Sequence, residues 1–163
     1  MAKFTPGPET TQDFRNALGC FATGVTVVTC QSEHGPLGMT VNSFTSVSLD
    51  PPLVLWCPAK NSLRYQAFAD AETFAIHMLA DDQQDVCLRF ARDGLNFDGI
   101  GLEKDAGGPP VISGSLAVLE CTRHTLHDGG DHAIIVGRVA GAVVNPGEPL
   151  LFSKGRFGAF ENR

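Results

Sequence analysis

"SLAVLECTRHTLHDGGDHAIIVGRVAGAVV", residues 115–144, holds two strand-forming runs on either side of a glycine-rich break. The runs 115–128 and 132–144 are dense in Val, Ile, Leu and Thr, residues that suit a pleated, half-buried surface. Between them "GGD" is a turn signal of hairpin length. The stretch therefore predicts a long antiparallel hairpin, and the rest of the chain is read around it.

Upstream, "VTVVTC" (25–30) is β-branched and "PPLVLWC" (51–57) is an apolar run behind a proline pair, so both read as strands. "TFAIHML" (73–79) is a third, with Phe74, Ile76 and Met78 on one face. "PLLFSKGRFGAF" (149–160) supplies a final short strand. Three short helices intervene. "TTQDFRNALGCFATG" carries Phe14, Ala17, Leu18 and Phe21 at i, i+3, i+4, i+7, with Thr10 or Thr11 as N-cap and Gly24 as the stop. "KNSLRYQAFADA" (60–71) has a capping signal at Asn61 or Ser62. "DDQQDVCLRFAR" (81–92) opens on acids and closes on arginines, as the helix dipole favours. Residues 93–114, rich in Gly, Pro and Asp, read as a long loop.

Five or six strands with few helices, not alternating as βαβ units do, give an all-β or β-dominated class, most simply a closed or partly closed barrel. The 163 residues are enough for one domain, read as 12–163 behind an N-terminal arm, 1–11. Twelve Lys and Arg against eighteen Asp and Glu leave a net charge of −6, which argues against nucleic acid or an anionic membrane as partner. The N-terminus lacks the apolar core of a signal peptide, and no run is long enough to span a membrane. Five cysteines at scattered spacing, without a CxxC, fit free thiols in a reducing compartment, so the expected location is cytoplasmic.

The familiar catalytic signatures are missing. There is no GxGxxG after a strand, no GxxxxGK[ST] and no GxSxG. His124, His127 and His132 cluster near the hairpin tip beside Asp128 and Asp131 but lack the paired spacing of zinc sites. On a regular strand His124 and His127 point to opposite faces. His77 reads as structural. "MTVNSFTSVSLDPP" (39–52) is more informative. Val41, Phe44 and Val47 step by three where a strand steps by two, and six short hydroxyl or amide side chains crowd the break. Hydroxyls and free backbone N–H groups at a strand break can cradle a phosphate or the polar edge of a ring. An irregular, solvated edge strand is the plainer reading. "PAKNSLRY" (58–65) adds Lys60 and a helix start, and both segments flank one apolar strand, so they could border one pocket.

"FRNALGCFATGVTVVTC", "GMTVNSFTSVSLDPPLVLWCPAKNS" and "GDHAIIVGRV", in that order, closely resemble the flavin reductase-like family, the small reductase components of two-component flavin-dependent monooxygenases. The resemblance runs from residue 12 to about 160. It implies a Greek-key FMN-binding split β-barrel that forms a homodimer, with flavin near the dimer interface. It also implies the reaction: NADH or NADPH donates a hydride to FMN or FAD, and reduced flavin serves a partner monooxygenase. By position, Thr40, Val41, Asn42, Ser43, Ser46, Val47 and Ser48 would line the flavin ring and ribityl chain. Cys57, Ala59, Lys60, Asn61 and Ser62 would approach the ribityl phosphate. Phe90 and Arg92 would reach the flavin tail, His132 would sit near the nicotinamide, and Phe157 could stack on a ring. Gly129, Gly130 and Asp131 would shape the hairpin turn.

Hydride transfer between two flat rings is carried by the cofactors, so the protein need supply only stacking, orientation and hydrogen-bond donors. The missing nucleophile and Rossmann motifs are then expected. A positioning role for His132 is favoured over that of an obligate acid, because water can supply the later proton. Two further readings stay open: a flavoprotein that holds its flavin tightly and acts directly as oxidase or oxygenase, and a non-enzymatic flavin-binding barrel. A metal hydrolase on the hairpin histidines comes last.

Overall fold

In the computed structural model, which describes residues 3–103 and 108–161, the long hairpin is the spine of the molecule. Strands β9 (Ala117–Gly129) and β10 (His132–Val144) pair antiparallel with Gly129 opposite His132, so Gly130 and Asp131 form the turn. Gly130 has φ 80°, a left-handed conformation that a two-residue hairpin needs and that glycine adopts without strain. Two irregularities bend the ribbon: the pairing skips His124 on one strand and Ala140 on the other. Counting parity from His124 to His127 therefore fails, because His124 is the extra residue of a bulge.

Seven strands form the main sheet, in the order β3-β2-β6-β9-β10-β5-β4 and antiparallel throughout. Their spans are β2 (Thr26–Ser32), β3 (Gly35–Val41), β4 (Thr45–Leu49), β5 (Pro52–Trp56) and β6 (Thr73–Met78), besides the hairpin. The two edge strands, β3 and β4, are neighbours in sequence, joined by residues 42–44 alone. At roughly 3.6 Å per extended residue, four steps from Val41 to Thr45 span at most roughly 14 Å. The sheet must curl until its edges nearly meet without pairing, which is a split barrel. Strand β1 (Thr23–Gly24) forms a small sheet with β11 (Leu151–Ser153) and β12 (Arg156–Gly158).

Two apolar clusters hold this shape. Val28, Met39, Val54, Trp56, Phe74, Ile76 and Ile135 fill the barrel, and Phe68 of helix α2 (Tyr65–Asp70) packs edge-on to Trp56 at 5.2 Å between ring centres. Val27, of opposite parity on β2, joins Leu79, Ile112 and the apolar stripe Val86, Cys87 and Phe90 of helix α3 (Gln84–Arg92). Both faces of β2 are thereby covered, which accounts for its unbroken buried run from Thr26 to Cys30. Among the described residues no helix is long and apolar enough to cross a membrane.

Several local expectations need correction. Helix α1 (Thr11–Leu18) has Thr10 as its N-cap but ends on Gly19, not Gly24, which lies in β1; its apolar stripe remains exposed. Helix α2 begins three residues beyond Ser62, because Ser62 Oγ accepts from the Arg64 N–H in a local turn instead of capping a helix. The loop 93–114 contains a short antiparallel pair, β7 (Leu102–Glu103) with β8 (Val111–Ile112). The expected last strand is two strands, β11 and β12, turning at Lys154 and Gly155, both in the left-handed region. Buried His77 is structural as expected. Its Nδ1–H donates to the Val27 carbonyl at 2.9 Å and its Nε2 accepts the Ile112 N–H at 3.1 Å.

Candidate functional site

The period-three step at Val41, Phe44 and Val47 coincides with the gap between β3 and β4 and with a bulge at Val47, the residue the β4–β5 pairing skips. The hydroxyls at this break are put to different uses. Thr40 donates to the Cys87 carbonyl at 2.7 Å, tying β3 to α3. Ser43 donates to the Cys57 carbonyl at 3.2 Å and accepts the Cys57 N–H at 2.9 Å, joining the break to the end of β5. Phe44 packs on the barrel core, while Asn42, Ser46 and Val47 are exposed and Val41 and Ser48 half-buried. Burial pushes the Cys57 thiol above its usual range, so at neutral pH it is a neutral group and not a nucleophile.

From Cys57 the chain runs straight to the hairpin tip. Pro58 accepts the Ala133 N–H at 3.0 Å, Ala59 bridges His132, and the Lys60 N–H donates to the Asp131 carbonyl at 2.9 Å. Lys60 Nζ forms an ion pair with Asp128 and donates to the Gly130 carbonyl at 2.7 Å. His132 Nδ1 lies 2.7 Å from a carboxylate oxygen of Asp131; a carboxylate only accepts, so Nδ1 carries the proton and Nε2 has no partner among the described residues. Hydrogen bonds from Lys60 and His132 hold the Asp128 and Asp131 carboxyls below the usual range. Asn61 is exposed and Ser62 half-buried beside this rim. Among the described residues no three His, Cys, Asp or Glu side chains converge as a metal site, and His127 Nε2 is 3.0 Å from the Thr125 hydroxyl.

Asn42 leads elsewhere, into an apolar cavity of about 490 Å³. Its other walls are Ala17, Leu18, Gly19, Phe21, Thr23, Phe152 and Ser153. Phe157 is half-buried and stacks edge-on against Phe152 at 5.4 Å, immediately behind that wall. Thr23 Oγ1 is buried without a hydrogen-bond partner among the described residues, although a buried hydroxyl ordinarily has one. The cavity thus offers apolar walls and an amide, which suits a flat heteroaromatic ring.

Phe90 and Arg92 part company. The Phe90 ring is fully buried, 4.7 Å from that of Phe97 and against Gly38, so the side chain expected at a flavin tail is part of the core. Arg92 is exposed at the end of α3, where it lines a shallow surface cleft with Asp85, Arg89 and Asp98. Three participants escape a reading by motif. Arg64 caps α3 from outside, donating to the carbonyls of Phe90 at 2.5 Å, Ala91 at 3.3 Å and Gly38 at 3.0 Å. Desolvation lowers its pKa while the Asp93 charge opposes this. Thr23 carried no signal beyond a small polar residue in an apolar context. Asp128 did carry one, a carboxylate next to a hairpin turn, but its partner lies 68 residues away.

Comparison with known proteins fixes the class. The model of the flavin reductase like domain matches residues 18–161. The chain is 56% identical over 160 residues to the FMN reductase (NADH) SmoA of Agrobacterium fabrum, covering 98% of this chain and 92% of that protein. It is 41% identical over 150 residues to HsaB of Rhodococcus jostii, the reductase subunit of a flavin-dependent monooxygenase, covering 91% of this chain and 77% of the relative. Among solved structures, the Streptomyces globisporus NADH:FAD oxidoreductase SgcE6 superposes with a TM-score of 0.90 at 41% identity, covering 100% of this chain and 95% of that one. SgcE6 is also solved in complex with NAD and FAD fragments, and that structure matches with a TM-score of 0.89. The fold and these relatives define a small flavin oxidoreductase on a split barrel. The chain belongs to the flavin reductase-like family.

Proposed function

We propose that the protein is the NADH-dependent reductase component of a two-component flavin-dependent monooxygenase. It moves a hydride from the nicotinamide nucleotide to FMN or FAD and releases the reduced flavin to an oxygenase. The observation that carries this reading is the joining of three separate segments along one rim, beside a cavity that Asn42 alone of their residues lines. The strand break at 42–48, the 57–62 loop and the His132 hairpin are joined by direct hydrogen bonds, and the break opens onto the cavity at Asn42. A volume of about 490 Å³ falls within the ~300–1,000 Å³ common for small-molecule sites. The names of SmoA, HsaB and SgcE6 support the same chemistry.

The flavin supplies the redox chemistry; the chain's residues bind and orient. Thr40, Val41, Asn42, Ser43, Ser46, Val47 and Ser48 form the ring and ribityl wall, with side chains and backbone donors at the break in pairing. Cys57, Ala59, Asn61 and Ser62 border the phosphate end, with Lys60 beside them. Donors fixed before the reaction can stabilise charge developing on the ring without reorganising. His132, its Nδ1 anchored on Asp131, presents Nε2 and orients the nicotinamide, and Phe157 backs the ring cavity through Phe152. Arg92 serves the flavin tail from the surface.

The functional unit is a homodimer working in the cytoplasm. Leu18 at the end of α1 and Phe21 just beyond it line the cavity at 58% and 78% exposure, and Phe14, one turn before Leu18, is 43% exposed; apolar side chains left open in this way are of the kind a second subunit covers. A steady-state matrix of NADH and NADPH against riboflavin, FMN and FAD tests the reading. Flavin-dependent nucleotide oxidation is expected, faster with NADH. No rate above the flavin-only blank in any combination would rule it out.

A further inference from the structure

We infer that the Lys60–Asp128 ion pair is a latch that positions His132, which makes Asp128 a positioning residue for nucleotide binding. The inference rests on the reading of His132 as the nicotinamide-orienting group. A lysine next to a presumed phosphate site is most simply a phosphate ligand, but this one is already engaged. Its Nζ meets the Asp128 carboxylate and the Gly130 carbonyl, and its backbone N–H meets the Asp131 carbonyl. Asp128 is 80% exposed and lies before the turn, so it can hold Lys60 without itself being desolvated.

The consequence runs through two residues. Gly130 and Asp131 are the turn itself, and glycine at φ 80° has wide conformational freedom. Lys60 removes that freedom by bonding to both turn carbonyls from outside the hairpin. The Asp131 backbone then fixes its carboxylate, and the carboxylate fixes the His132 ring at Nδ1. On the other side of His132, the Ala59 bridge and the bond from the Ala133 N–H to Pro58 hold the strand in register. Loss of the latch should therefore leave the sheet paired and loosen only the turn and the imidazole. A half-exposed lysine paired with an exposed carboxylate is a weak interaction, so the effect is modest.

The test measures the KM for NADH, kcat, and the Kd for FMN by quenching of flavin fluorescence, below the unfolding temperature of every variant. Asp128→Ala is expected to raise the NADH KM about threefold to fivefold with FMN affinity unchanged; Lys60→Met is expected to raise the NADH KM by the same factor, and Lys60→Arg to restore the wild-type KM in large part. If Asp128→Ala changes FMN affinity while the NADH KM stays put, Lys60 is a flavin-phosphate ligand that Asp128 tempers, and the latch is wrong. If neither quantity moves, it is equally wrong. His132→Ala separates this from the underlying reading. A raised NADH KM there, with Asp128→Ala silent, sinks the latch alone; a wild-type KM in His132→Ala sinks both.

Discussion

At position 77 a histidine fully enclosed in β6 satisfies both ring nitrogens within the protein, one as donor and one as acceptor. A second proton would have to enter at Nε2, against the Ile112 N–H, and burial already pushes the pKa down to about 4 from an ordinary value of 6.5. Between those values the unfolded chain binds a proton that the folded chain refuses, so stability is full above pH 6.5 and falls as the pH drops towards 4. Urea unfolding midpoints across that window should decline with acidification, and His77→Gln should flatten the decline. At Gly38 the constraint is steric. A Cβ there would lie 2.5 Å from the Phe90 ring, which is itself held in the core. Gly38→Ala should cost about 1–3 kcal/mol by overpacking, read as a lower thermal midpoint.

At the scale of the element, the break between β3 and β4 is where sequence and structure speak most directly to each other. The period-three step marked the place because a pleated strand cannot keep one face buried through it, and the structure shows a gap followed by a bulge. The long hairpin was equally plain, since two β-branched runs around Gly-Gly-Asp leave little else for the chain to do. Other elements were not legible for identifiable reasons. Strands β7 and β8 are two residues each, too short for any periodicity. The start of α2 depends on a serine that serves a turn rather than a helix. The resemblance put Phe90 at the flavin tail by position, but its ring is buried, because Gly38 leaves room for it. Ser43 is the hinge of the site at this scale. Ser43→Ala removes both bonds to Cys57 and should cost about 1–2 kcal/mol in denaturant unfolding. FMN affinity should fall with it, because the proposed ring wall and the proposed phosphate loop lose their shared tether.

Across the whole molecule, the seven-stranded sheet curls because its edge strands are joined by three residues, while the pairing of β4 with β5 and of β5 with β10 brings the strand break, the 57–62 loop and the hairpin tip to one rim. No local pattern in the sequence contains that meeting. The individual segments could be read, and their resemblance to a family could order them, but the contacts between Lys60 and the hairpin exist only once β5 pairs with β10, a strand far along the chain. The exposed apolar face of α1 belongs to this scale too. Sedimentation should show a dimer, and Phe21→Asp with Leu18→Asp should shift it to monomer and lower turnover, since a cavity walled by both residues would lose its cover.

In the proposed reaction, flavin is reduced by NADH on this barrel and then leaves. Anaerobic mixing of the protein with excess NADH and a several-fold molar excess of FMN measures that directly through the bleaching of flavin absorbance. The expected result is catalytic bleaching of all the flavin, many equivalents per protein chain. Bleaching that halts at one equivalent would show a flavin held in place and acting on a substrate of its own, and no bleaching at all would leave only a flavin-binding barrel.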